Sequence, residues 1–152
     1  MMTLGITKDN QYRKVDIATA QLTEAINMFV SEKFLCSIPL ASAAEEIFSG
    51  ILRSRGLQPS IELAYNDIND VRVLRGLNLM GGKSRREIIK IWNHVKNRTK
   101  HHDSDESELI VFNACDEAYW LIKRALSNSK MLGLENSREE DFDNFLISKA
   151  CM

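Results

Sequence analysis

Ile38–Arg55 reads IPLASAAEEIFSGILRSR, and two stripes run through it at three- and four-residue steps. One holds Ile38, Ala41, Glu45, Phe48 and Leu52, the other Leu40, Ala44, Ile47 and Ile51. Such a period belongs to an α-helix, and an apolar surface this wide belongs to a helix covered on several sides. The small side chains of Ala41, Ser42, Ala43 and Ala44 let neighbouring backbones approach closely. Pro39 falls where a first helical turn tolerates it, and Gly56 where a helix ends. The segment is therefore expected to be the central helix of the core.

The same period extends in both directions. Val15, Ala18, Leu22, Ala25/Ile26 and Phe29 form one stripe of a helix from about Arg13 to Lys33. After Pro59-Ser60, a weaker pattern carries Ile61, Ala64/Tyr65, Ile68, Val71 and Leu74/Arg75 up to an interruption across Gly76–Gly82. Within it, Val71–Leu74 is equally compatible with extended chain. Ser84 with Glu87 makes a capping box, and Ile88, Ile91/Trp92 and Val95 then share one face of a helix reaching Arg98 or beyond. Phe112, Cys115, Ala118/Tyr119, Ile122 and Leu126 mark a long helix ending before Gly133, its start at either Ser107 or Asn113. Ser137 with Glu140 precedes a last short helix bearing Phe142, Phe145 and Leu146. Five to six helices with no strand pair imply an all-α, up-and-down helical bundle over residues 13–150, after an N-terminal extension of residues 1–12.

Composition narrows the functional classes. At 152 residues, with 44% apolar and 27% charged side chains but only 7 Gly and 2 Pro, the chain suits one packed domain and excludes collagenous or low-complexity readings. Apolar runs last only a few residues, so no membrane span is expected. Lys8, Asp9, Asn10 and Gln11 stand where a secretory signal would need an apolar stretch, and three scattered cysteines make no disulfide framework. These features imply a cytoplasmic protein. Cys36 and Cys115 fall on stripes expected to be buried, and Trp92, Trp120 and Tyr119 lie at core spacing. Twenty basic against twenty-one acidic side chains leave a net charge of −1, hence no global field for nucleic acid.

One segment breaks that neutrality. Lys83, Arg85, Arg86, Lys90, Lys96, Arg98 and Lys100 face a single acid, Glu87, between Lys83 and His102, while Asp103, Asp105, Glu106 and Glu108 follow directly. A basic helix in a neutral protein is the footprint of a phosphate-contacting surface; a solvated face whose cations favour the helix C-terminus has the same composition. At about 100° per residue, Lys90, His94, Asn97 and His101 fall on the side opposite Ile88, Ile91, Trp92 and Val95, provided the helix runs that far. Imidazole beside an amide and cations supplies acid–base chemistry near neutral pH. His101-His102-Asp103, with Asp105 and Glu106, lacks the spacing of a metal site, so neither metal nor cofactor is expected. Glu45 and Glu46 lie in the most apolar helix, which calls for a rim position or pairing with a cation such as Lys96 or Arg53, or for a role supporting the basic helix.

Trp92-Asn93-His94-Val95-Lys96-Asn97-Arg98-Thr99-Lys100-His101 resembles the signature helix of HEPN-type proteins, small α-helical domains of prokaryotic toxin–antitoxin and defence systems. Ala43–Ile47 and Glu117–Ala125 resemble flanking helices of such proteins, so the likeness spans Arg13 to Leu132. The resemblance implies a metal-independent endoribonuclease in which the RNA 2′-hydroxyl attacks the adjacent phosphate. It assigns catalysis to His101, Asn97 and, at the motif's arginine position, Lys96; the basic segment itself adds Arg98, Lys100, His94 and Lys90 as phosphate-binding candidates, with Glu45 and Glu46 as candidates to support the helix. It further implies a homodimer, RNA or nucleotide as ligand, and a cognate protein partner. Lys96 stands where the family motif has arginine. A lysine lacks the planar fork that holds phosphate through two bonds, which favours phosphate binding over cleavage. The alternative is a non-catalytic helical module for self-association or protein docking, in which Asp103–Glu108 covers or neutralises the basic segment.

Overall fold

The computed structural model describes Gly5, residues 8–76 and residues 81–151. Seven helices, and no strand, occur among the described residues. They are α1 (Lys14–Val30), α2 (Phe34–Ser54), α3 (Ser60–Arg75), α4 (Arg85–Trp92), α5 (His94–Arg98), α6 (Ala114–Met131) and α7 (Glu139–Ala150). Most of the expected 1–12 extension and the centre of the interruption at 76–82 lie outside the described residues.

The core is built as the stripes require. Ala18, Leu22, Ala25, Ile26 and Phe29 of α1 meet Ile38, Ala41, Ala44 and Phe48 of α2 and Ala118, Leu121, Ile122, Ala125 and Leu126 of α6, all buried. α2 lies between α1 and α6, its principal neighbours, and Phe142 of α7 closes one end. By length and composition α2 is apolar enough to cross a membrane; in this fold half of that window is packed inside the bundle. Pro39 sits inside α2 rather than in its first turn. The helix begins four residues earlier than its stripes indicate, and the proline is accommodated on an exposed position. Gly50 is exposed in the interior of α2, with open space where a Cβ would stand. Gly50→Ala should therefore stabilise the fold by about 0.5–1 kcal/mol in urea denaturation, through helix propensity and a less flexible unfolded chain.

The remaining helices depart more from the periodic reading. α3 is helical through Val71–Leu74 but buries only Ile61, and α4 buries only Ile88. The capping box at Ser84 and Glu87 is present. The expected second box at Ser137 is not: α7 starts after Arg138 without a side-chain cap. Asn113 caps α6 by accepting from the Asp116 amide, which decides the start of that helix. Asn93, at φ −97° and ψ 1°, separates α4 from α5, and α5 ends at Arg98. The single basic helix expected from Ser84 to His102 is thus two short ones followed by a loop.

Candidate functional site

That break controls the fate of the basic segment. Lys96 lies four residues after Trp92 and one after Val95, on the inward edge of the stripe, so α5 turns it into the bundle. It is only 5% exposed. Its Nζ lies 3.0 Å from Glu45 Oε2 and 3.1 Å from Glu46 Oε1. Glu45 itself is 2% exposed and also meets Arg124 Nη2 at 3.0 Å. The Ser49 hydroxyl donates to Glu45 at 3.0 Å, and the Asn128 amide donates to Ser49 at 3.0 Å. Asn128 Oδ1 in turn accepts from the Ser60 backbone N–H at 2.8 Å, and Arg124 donates to Asn93 Oδ1 at 2.9 Å.

Four helices (α2, α3, α5 and α6) and the α4–α5 junction at Asn93 are therefore joined by one polar network. Burial alone would push the Glu45 carboxyl up, but the charges of Arg124 and Lys96, with hydrogen bonds from Lys96 and Ser49, outweigh it and hold the group below the usual carboxylate range. Glu46 behaves likewise: burial opposes ionisation, and Lys100 and Lys96 overcome it. For Glu117, burial wins over the Arg124 charge and the Lys96 backbone amide, so its carboxyl is raised.

The expected site residues are not brought together as one anion-facing surface. Lys96 is corrected from a solvent-facing cation to a buried partner of Glu45 and Glu46. Those two carboxylates take the cation-paired position anticipated for them, with Arg124 in place of Arg53, which pairs instead with Glu62. Lys90, His94 and Asn97 are exposed but sit on two helices separated at Asn93. His101 lies beyond the end of α5, so the shared helical face ends before reaching it. Lys100 pairs with Glu46 at 2.7 Å, and Arg98 pairs with Glu106 at 3.3 Å and donates to the Ser107 carbonyl. Arg98, Lys100, His101 and His102 do share an open groove of about 540 Å³ with Glu106 and Glu108. Cys36 is exposed and Cys115 half-buried, contrary to their expected burial.

A second groove, of about 640 Å³, lies between α3, α4 and α6. Each helix contributes an exposed apolar side chain to it: Ile68, Ile91 (53% exposed) and Trp120 (61% exposed). Trp120 is thus corrected from core packing to surface, its ring set edge-on against Tyr119 at 4.9 Å. Glu117, Lys123 and Arg124 add charge to the same groove, and Arg124 Nε is buried there without an acceptor among the described residues. Among the described residues no group of three or more His, Cys, Asp or Glu is disposed to hold a metal ion.

Arg124, Glu117, Asn93, Ser49 and Asn128 escape periodicity-based reading because apolar stripes do not register polar members. The available signal was the α6 series Glu117, Leu121, Arg124, Asn128, which follows the helical repeat, opposite a glutamate in the most apolar helix. Fold and site define an all-α bundle with a buried ionic network beside an apolar groove. No family model, curated protein or solved structure matches the chain.

Proposed function

We propose that this chain is a non-catalytic helical interaction module that docks a protein surface in the groove between α3, α4 and α6. The observation carrying this reading is the contrast between its two surfaces. The cation at the motif's arginine position is sealed between two carboxylates, while Ile68, Ile91 and Trp120 stand exposed around one groove. Apolar side chains converging in this way are characteristic of protein contact, with tryptophan as the anchor type most often decisive in binding energy. A cognate protein partner or a second copy fits such a groove.

A second reading, an HEPN-like surface binding RNA or nucleotide phosphate, is favoured by Arg98, Lys100, His101 and His102 lining the other groove. It assigns no role to Lys96, and the pairing of Arg98 with Glu106 and of Lys100 with Glu46 weakens it. Fluorescence polarisation with a labelled single-stranded RNA at low salt separates the two. The docking reading predicts a Kd weaker than about 10⁻⁴ M. Micromolar, steeply salt-dependent binding that Arg98→Ala or Lys100→Ala abolishes would replace it with the second.

A further inference from the structure

α3 forms one wall of the 640 Å³ groove through Ser60, Ile61, Ala64 and Ile68. On its outward side it carries another stripe: Leu63, Asp67, Asp70, Val71 and Leu74, at i, i+4, i+7, i+8 and i+11. That spacing places all five within about 100° of one another around the helix. Leu63, Val71 and Leu74 are exposed, Leu74 at 85%. Asp67 and Asp70 are exposed too and form no ion pair among the described residues. The stripe is an acidic amphipathic surface with nothing laid against it.

The groove beside it has the opposite character. Its apolar floor is flanked by Lys123, which has no carboxylate partner among the described residues; Arg124 beside it is already paired with Glu45. The one acid in its lining, Glu117, is shifted by burial towards its neutral form. One lysine ammonium therefore stands unanswered at the groove, and two carboxylates stand unanswered on the adjoining stripe. Ala64, exposed between the two, is small enough for a helix to approach closely.

We propose that the groove receives α3 of a second copy of this chain, with Leu63, Val71 and Leu74 against Ile68, Ile91 and Trp120, and with Asp67 and Asp70 facing Lys123. The inference rests on the docking reading above and names its partner. Stripe and groove adjoin on one helix, so a two-fold axis alongside α3 makes each copy both guest and host. That is the self-complementarity an isologous contact requires. Opposite charge at the rim sets the register, while the apolar groups supply the buried area.

Sedimentation equilibrium of the purified full chain at low salt, over roughly 1–500 μM, tests this. The wild-type chain should dimerise. Asp67→Lys with Asp70→Lys in one chain, and Lys123→Glu in another, should each weaken dimerisation by about tenfold or more, while circular dichroism shows both still folded. Mixing the two variants should restore a heterodimer of near wild-type affinity, because the reversed stripe of one then meets the reversed groove of the other. A wild-type chain that stays monomeric, a dimer indifferent to both reversals, or a mixture no tighter than its components would each overturn the proposal. The docking reading fails separately, by tight RNA binding in the polarisation assay.

Discussion

Glu45→Ala should destabilise the fold by about 3–5 kcal/mol in urea denaturation at pH 7. The substitution leaves Lys96 and Arg124 in the bundle without the carboxylate that both contact at 3.0 Å. It also removes the acceptor of the Ser49 hydroxyl. The large value reflects Arg124 left without a carboxylate and Lys96 left with Glu46 alone, more than the intrinsic worth of the pairs, because desolvation cancels much of the attraction in a buried ion pair. Replacing all three charges together, with Glu45→Leu, Lys96→Met and Arg124→Met, should accordingly recover most of the loss. The pH dependence has a definite sign. Glu45 is held below its unfolded-chain value of about 4.3, so its contribution is complete above that pH and disappears as pH falls through the lower folded value. The deficit of Glu45→Ala relative to wild type should therefore shrink in acid. Glu117, raised by burial, acts in the opposite sense on the absolute stability of both chains and so largely cancels from this difference. A deficit below about 1 kcal/mol at pH 7 would mean that the network contributes nothing to holding α5 and α6 against α2.

Phe29→Ala should cost a comparable amount, about 3–5 kcal/mol. Phe29 is fully buried and touches three other rings: Phe34 at 5.1 Å, Phe142 at 5.1 Å and Phe145 at 5.4 Å. Two of the three belong to α7, so the cavity opens under the helix with few other apolar anchors. Loss of Phe29 should expose α7 amides to hydrogen exchange before those of α2. Leu35→Ala, at a position 67% exposed, should change stability by no more than about 0.5 kcal/mol. Equal effects at the two sites would contradict the placement of the core.

The fold was largely legible because its centre is written in apolar repeats. The α1, α2 and α6 stripes name almost every buried side chain of the core, since burial there depends on spacing alone. α3 and α4 were harder to read because they bury only one apolar residue each, and their place is set by polar contacts such as Ser60 with Asn128. The candidate site was legible only in part. Charge counting found the basic segment but could not tell which cations face inward, because that depends on where the helix breaks. The break falls at Asn93, whose side chain accepts from a group far away in sequence, the guanidinium of Arg124. Lys96 is then presented to Glu45, 51 residues earlier. The same one-dimensional reading placed Trp120 in the core by its spacing, although the neighbouring α3 and α4 leave a groove there instead of a lid.

The central claim, that Lys96 is a sealed structural cation, can be checked most directly by residue-resolved acetylation of the native chain with mass-spectrometric readout. Lys96 should react slower than the exposed Lys90 by on the order of tenfold or more, and should reach a comparable rate only when the chain is unfolded. Acetylation of Lys96 in the folded chain at the rate of Lys90 would contradict the account.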